Sequence, residues 1–131
     1  MIVVDTNVIA YLYLPGEHTA RAESLLTRDA DWVAPLLWRS EFRSILAGYM
    51  RRQLLTHAAA LQLQSEAESL MAGAEHDVDS RQVLDLVRDS KCSAYDCEYV
   101  AVAMTLGVPL VTMDAKIRKS FPECTMPLPK E

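Results

Sequence analysis

A chain of 131 residues, half of them apolar, is long enough for one hydrophobic core but too short for two, so we expect a single domain. No apolar stretch reaches the roughly 20 residues that a membrane-spanning helix needs, and the start lacks the pattern of a signal peptide; both point to a cytoplasmic protein that makes no membrane contact. The net charge of −5 argues at first against a nucleic-acid partner, and three cysteines, an odd number, argue against a disulfide framework.

Strand-like and helix-like patterns alternate along the chain, which predicts an α/β fold with a central, mainly parallel sheet flanked by helices. Strands are predicted at residues 2–4, 32–34 and 108–113, with a weaker pattern at 74–78. Helices are predicted at residues 8–14, 18–27, 36–53, 56–73, 80–88, 94–106 and 115–120. The predicted N-caps are Thr56, Ser80 and Ser93. From about residue 121 the chain is predicted to be a short Pro-rich tail.

Two aspartates directly follow predicted strands, Asp5 after the first and Asp114 after the last. The carboxyl ends of parallel strands lie at one edge of the sheet, where open α/β sheets bind their ligands. Each aspartate could instead cap the helix that follows it, a role that stabilises a helix by about 1 kcal/mol. Taken singly, these positions leave both interpretations open.

Glu41 lies on the apolar stripe of its predicted helix, because Leu37 and Ile45 are four residues away on either side. Arg39 and Arg43 are predicted to lie on the opposite face. A carboxylate directed at a core without a partner either costs several kcal/mol or becomes protonated. The position therefore predicts a cation or a wet pocket, unless Glu41 is a boundary residue that reaches solvent or a buried arginine.

Asp96 lies three residues after Ser93, in an S-x-x-D pattern that resembles a capping box. It also shares a helix face with Val100 and Met104, near the start of a helix that is apolar nearly all round. We therefore predict that Asp96 projects into the rim of the interior. Glu98 lies about 200° away around the helix and is predicted to be on a solvated face.

The four acids matter most as a set, because none of their predicted faces carries a lysine or arginine. Two carboxylates 4 Å apart repel each other by about 4 kcal/mol at an effective dielectric constant of 20. A multivalent cation would relieve that repulsion, and a set of oxygen ligands favours Mg²⁺ or Mn²⁺ over zinc. The set is Asp5, Glu41, Asp96 and Asp114.

The opening VVDTNVI, the segment SEF and the block SAYDCEYVAVAMTLGVPLVTMD resemble the PIN-domain ribonucleases, specifically the VapC-type toxins of bacterial type II toxin–antitoxin pairs. The resemblance covers nearly the whole chain and implies a three-layer α/β fold over residues 1–131. It implies that the four acids are catalytic and bind Mg²⁺ or Mn²⁺, with support from Thr6, Asn7 and Thr112. It also implies an RNA substrate, a homodimer and a small antitoxin protein that blocks the site.

Within this resemblance the acids have separate expected roles. We expect Asp5 and Asp96 to bind metal directly and Asp114 to bind it directly or through water, while Glu41 orients the attacking water or helps to deprotonate it. Lys116, two residues after Asp114, is the preferred candidate for a phosphate contact. The other basic candidates are Arg39, Arg43, Arg51, Arg52, Arg118 and Lys119.

Two other functions remain open at this point, and a third does not fit the sequence. A receiver-like phosphoacceptor domain also gathers aspartates around Mg²⁺ at strand ends, but such domains carry a paired acid near the start, where this chain has Asp5 alone. A non-catalytic PIN-like binding module would share the fold without needing the acids, and this chain retains all four. A haloacid-dehalogenase-type phosphatase would have D-x-D after the first strand, where this chain has D-T-N.

Overall fold

The computed structural model describes residues 1–131 and contains five strands and seven helices. The strands are β1 (Ile2–Val4), β2 (Trp32–Pro35), β3 (Glu75–His76), β4 (Leu110–Val111) and β5 (Thr125–Met126). The helices are α1 (Thr6–Tyr13), α2 (Thr19–Arg28), α3 (Trp38–Arg51), α4 (His57–Leu70), α5 (Ser80–Arg88), α6 (Ala94–Leu106) and α7 (Ala115–Ser120). None of the seven has the length and apolar character that crossing a membrane would require.

The sheet is parallel throughout, in the order β3-β2-β1-β4-β5, which confirms the predicted fold class. β1 is the central strand, since it pairs with β2 on one side and with β4 on the other. All three of its side chains are buried, as expected of a strand covered on both faces. In its register with β4, Val4 lies opposite Val111, and the Asp5 N–H donates to the Val111 carbonyl over 3.1 Å. The carboxyl ends of β1 and β4 are therefore neighbours, which brings Asp5 beside the segment that leads to Asp114.

The core-facing side of α3 is shifted by one residue from the prediction. Trp38, Phe42 and Leu46 are its buried residues, whereas Glu41 and Ile45 are half-buried beside them. The expected apolar stripe through Glu41 was therefore wrong in detail, since that residue lies at the border of the core. This border position gives the Glu41 carboxylate access to a cavity.

Two of the three predicted N-caps are confirmed. The Thr56 side chain accepts from the Ala59 N–H, and the Ser93 side chain accepts from the Asp96 N–H. The prediction for Ser80 was wrong, because the preceding residue, Asp79, caps α5 by accepting from the backbone of Gln82 over 3.1 Å. Aspartate and serine are about equally good N-caps, so the sequence did not separate these neighbours.

The segment predicted as a tail contains β5, which the sequence analysis did not anticipate. The Leu110 N–H donates to the Cys124 carbonyl over 2.8 Å, and the Thr112 N–H donates to the Met126 carbonyl over 3.0 Å. Beyond the strand, Leu128 is buried and its carbonyl accepts a hydrogen bond from the Arg21 guanidinium. The last strand therefore protects the far side of β4, next to the candidate site.

Candidate functional site

The four predicted acids line one cavity of about 380 Å³. They reach it from four different parts of the chain, since Asp5 follows β1, Glu41 is on α3, Asp96 is on α6 and Asp114 follows β4. The cavity is completed by Thr6, Asn7, Ser44 and Ile45. No lysine, arginine or histidine lines it, so the carboxylates have no cationic side chain among them.

Asp5 stands at the N-cap position of α1, but its side chain makes no capping hydrogen bond. The capping interpretation is therefore wrong for this residue. Its Oδ2 instead accepts a hydrogen bond from the Thr112 hydroxyl over 2.7 Å. Burial raises the pKa of Asp5 to about 6; the charges of Glu41 and Asp96 act in the same direction, and the Thr112 hydrogen bond opposes them.

Asp114 does cap its helix, and it lines the cavity as well. Its Oδ1 accepts from the backbone N–H groups of Lys116, over 2.8 Å, and Ile117, over 3.2 Å. Its Oδ2 makes no hydrogen bond within the protein. The Asp114 N–H donates to the Thr112 hydroxyl over 3.1 Å, so Thr112 connects both strand-end aspartates.

Glu41 is held by two hydroxyl groups on the same carboxylate oxygen. Tyr99 donates to Glu41 Oε1 over 2.6 Å, and Thr6 donates to that oxygen over 3.1 Å. The two hydroxyls also contact each other. Burial and the charge of Glu41 raise the pKa of the Tyr99 phenol, which therefore stays a protonated donor. Tyr99 was not among the predicted site residues, although its place three residues after Asp96 puts both on one helix face.

Asp96 is half-buried, and its carboxylate makes no hydrogen bond within the protein. Only the Ser93 half of the expected capping box forms, through the backbone N–H of Asp96 over 3.0 Å. The neighbouring Glu98 is also half-buried, and both its burial and the charge of Glu41 raise its pKa. Glu98 therefore keeps part of the predicted exposure to solvent, but it lies close enough to Glu41 to sense its charge.

The three predicted supporting residues differ in their contacts. Thr6 and Thr112 are buried, with exposures of 3% and 0%, and each hydroxyl binds a carboxylate of the set. Asn7 also lines the cavity, but it is exposed and its amide makes no hydrogen bond. Ser44, which the sequence analysis did not name, lies on α3 one turn after Glu41 and lines the same cavity.

The predicted basic residues lie outside the cavity lining. Lys116 is exposed and its side chain forms no ion pair. Arg39 is bound by Glu75 through two nitrogens, over 2.5 Å and 2.7 Å, and by Glu68 over 3.2 Å. Arg39 therefore ties α3 to β3, and its contact with phosphate stays a prediction. Arg52 lies over the ring of Tyr49.

The chemistry of these ligands fits a hard, hydrated cation. No three or more His, Cys, Asp or Glu side chains are arranged closely enough to bind one ion directly. Mg²⁺ usually binds one or two carboxylates and keeps several of its waters, so a closer protein cage is not required. Asp96 is unpaired, and Glu41 and Asp114 each keep one oxygen free, so the cavity retains the oxygen ligands that such an ion needs.

The chain is similar to known proteins both in sequence and in fold. A family model described as PIN domain matches residues 2–120. The chain is 29% identical to Ribonuclease VapC3 of Pyrobaculum aerophilum over 139 residues, which cover 96% of this chain and 98% of that protein. Its fold is similar to FitAcB from Neisseria gonorrhoeae, with a TM-score of 0.76, 20% identity and 96% of each chain covered. A toxin-antitoxin complex from Klebsiella pneumoniae gives a TM-score of 0.67, with 16% identity and 96% of each chain covered.

Proposed function

The chain belongs to the PIN domain family, and from that premise we propose that it is an endoribonuclease that depends on Mg²⁺ or Mn²⁺ and hydrolyses RNA phosphodiesters. The observation that carries the proposal is the convergence of four acids on one cavity that no basic side chain lines. Such an arrangement is electrostatically unfavourable unless a cation occupies it or some of the acids stay protonated. The name of the relative Ribonuclease VapC3 supports RNA as the substrate.

Each acid has a role that follows from its contacts. Asp5 and Asp96 would hold the ion directly, and Asp114 would use its free Oδ2 through a water, because no three acids are close enough to bind one ion directly. The bound ion would neutralise the acids and supply an electrophile beside the scissile phosphate. Glu41 Oε2, which makes no hydrogen bond within the protein, would accept a proton from the attacking water and orient it. Thr6 and Thr112 would fix the carboxylates, and Asn7 would contribute an amide at the cavity wall.

The substrate's phosphates would meet a site whose charge depends on the bound ion. The net charge of −5 includes the four cavity acids, so cation binding removes the main local obstacle to a polyanion. Lys116 is our choice for a phosphate contact, because its side chain is exposed, forms no ion pair and lies two residues after Asp114 in the chain. Lys119 and Arg43 are also exposed and would contact the phosphates of the RNA backbone in the same way.

We further infer two protein partners, a small antitoxin and a second copy of this chain. The antitoxin is suggested by the Klebsiella structure of similar fold, which is described as a toxin-antitoxin complex. Leu54 and Leu61, with exposures of 61% and 58%, leave apolar surface for such contacts. A short neighbouring reading frame whose product co-purifies with this chain would support the antitoxin, and light scattering of the purified chain tests the homodimer.

Purified protein with Mn²⁺ should cleave RNA, and EDTA should stop the reaction. Asp96→Asn removes a ligand charge but keeps the backbone N–H that Ser93 caps, so α6 stays intact. We expect the RNA-cleaving activity of this variant to fall by more than the roughly 100-fold that removal of an outer-shell partner can cost. Asp77→Asn, which changes an exposed acid outside the cavity, is the matched control and should remain active.

Cleavage that needs no metal and survives Asp96→Asn would contradict the proposed chemistry. The same pair of variants tests the non-catalytic alternative, because a binding module would show no difference between Asp96→Asn and Asp77→Asn in any RNA assay. The receiver-like alternative predicts instead that acetyl phosphate labels one of the aspartates.

A further inference from the structure

Tyr99 is a buried phenol whose hydroxyl lies inside the acid set. The residue is 2% exposed, and its hydroxyl donates to Glu41 Oε1 over 2.6 Å. The same hydroxyl contacts Thr6 Oγ1, which reaches the same Glu41 oxygen over 3.1 Å. Side chains from α1, α3 and α6 therefore meet at one carboxylate oxygen.

We propose that Tyr99 is a positioning residue that holds Glu41 Oε1 in place by a hydrogen bond. Oε2 is thereby left as the oxygen that faces the cavity and accepts a proton from the attacking water. This inference rests on the proposed metal-dependent nuclease function. Glu41 has one more side-chain torsion than the aspartates around it, so it loses more rotamer freedom when it is fixed in one orientation. Two hydrogen bonds to the same oxygen supply that restraint before a substrate arrives.

The proton inventory agrees with this arrangement. Each hydroxyl carries one proton to donate, whereas an ionised carboxylate can only accept. Tyr99 gives its proton to Glu41 Oε1, and Thr6 can give its own to that oxygen or to the phenol oxygen. In both cases Oε1 is occupied and Oε2 remains free.

Tyr99 also connects two acids of the set. It follows Asp96 by three residues on α6, so the two side chains lie on the same helix face. The hydrogen bond to Glu41 therefore fixes the first turns of α6 against α3. Loss of the hydroxyl would loosen both the Glu41 orientation and the spacing between Glu41 and Asp96, while the buried ring would still fill its place in the core.

The test compares Tyr99→Phe with Tyr13→Phe in the full-length protein. Tyr13 is a suitable control because it is half-buried and its hydroxyl makes only a 3.4 Å hydrogen bond to the Glu66 carbonyl, away from the cavity. For Tyr99→Phe we expect kcat for RNA to fall about ten-fold with KM within about two-fold. The Mn²⁺ concentration needed for a given rise in melting temperature should increase about ten-fold. Tyr13→Phe should change none of these.

A Tyr99→Phe protein that unfolds at lower temperature, but keeps the wild-type kcat and the wild-type rise in melting temperature with Mn²⁺, would show a purely structural role and overturn the inference. If Tyr99→Phe does not fold, Thr6→Val removes the second donor to Glu41 Oε1, and the same fall in kcat with KM within about two-fold is expected, whereas a wild-type kcat would overturn the inference. If the wild-type protein neither cleaves RNA nor gains stability from Mn²⁺, the proposed function itself is wrong. If the wild type is active and Tyr99→Phe is unaffected, only the proposed role of Tyr99 is wrong.

Discussion

Asp5 occupies a position that opposes its own charge. It is largely buried at the end of the central strand, and it faces Glu41 and Asp96 with one side-chain donor, Thr112, to stabilise the carboxylate. The side chain does not cap α1, so the Thr112 hydrogen bond is the one side-chain contact that offsets the cost of burying this charge. A charged residue that lowers the stability of the fold and lines a cavity is typical of a functional site.

The pKa of Asp5 leads to a prediction about pH in the absence of metal. Because the folded pKa is about 6 and the ordinary value is 3.8, the folded state binds more protons in that interval. The free energy of unfolding must therefore fall as pH rises from about 4 to about 6. The loss amounts to at most about 3 kcal/mol. Asp5→Asn should remove this loss, and urea unfolding in EDTA across that range would measure it.

At pH 7 the Asp5→Asn protein should accordingly be more stable than wild type without metal. Asp77→Asn, an exposed acid outside the cavity, should show the wild-type pH dependence. If Asp5→Asn were markedly less stable than wild type in EDTA, the carboxylate would have a structural role, and the electrostatic basis of the site would be lost.

At the level of helices and strands, α5 offers a test of how its first turn is formed. Asp79 accepts a hydrogen bond from the Gln82 N–H, whereas Ser80 is the first residue inside the helix and its hydroxyl makes no hydrogen bond. Asp79→Ala should therefore lower the free energy of unfolding by about 1 kcal/mol, and Ser80→Ala should leave it nearly unchanged. Urea unfolding of both variants decides the matter, and the reverse order would restore the cap predicted from the sequence.

Elements with a local signal were predictable, and those that depend on distant partners were not. β1 was correctly bounded because all its residues are apolar, and α6 because Ser93 opens it and Gly107, with a φ of +67°, closes it. β4 is shorter than the predicted 108–113, since only Leu110 and Val111 pair with β1 and β5. β5 was missed because two residues have no periodicity, and their strand character comes from pairing with β4.

The same distinction applies to the site. Asp5 and Asp114 could be placed at one sheet edge from topology alone, because both follow strands of a parallel sheet. Tyr99 shares a helix face with Asp96, but its hydrogen bond to Glu41, 58 residues away in sequence, could not be predicted from that spacing. The ion pair of Arg39 could not be predicted for a similar reason, since Glu75 reaches it only through the pairing of β3 with β2.

For the molecule as a whole, the acids join segments that are far apart in the chain. The Thr112 hydroxyl bonds Asp5 across 107 residues, and the Tyr99 hydroxyl bonds Glu41 across 58. An ion bound among them is present only when these segments have come together, so its binding free energy adds to the stability of the entire fold. The effect of metal should therefore appear in global unfolding and not only in catalysis.

Mn²⁺ at about 100 times its dissociation constant should raise the free energy of unfolding by about 2.7 kcal/mol. Thermal unfolding over a range of Mn²⁺ concentrations measures this rise, and Asp96→Asn should abolish it. Sodium chloride at the same ionic strength separates binding from screening, because a chain of net charge −5 gains some stability from any salt. If sodium chloride stabilised wild type and Asp96→Asn as much as Mn²⁺ does, the acids would not form an ion site, since screening acts on every charge and a bound ion acts only on the cavity.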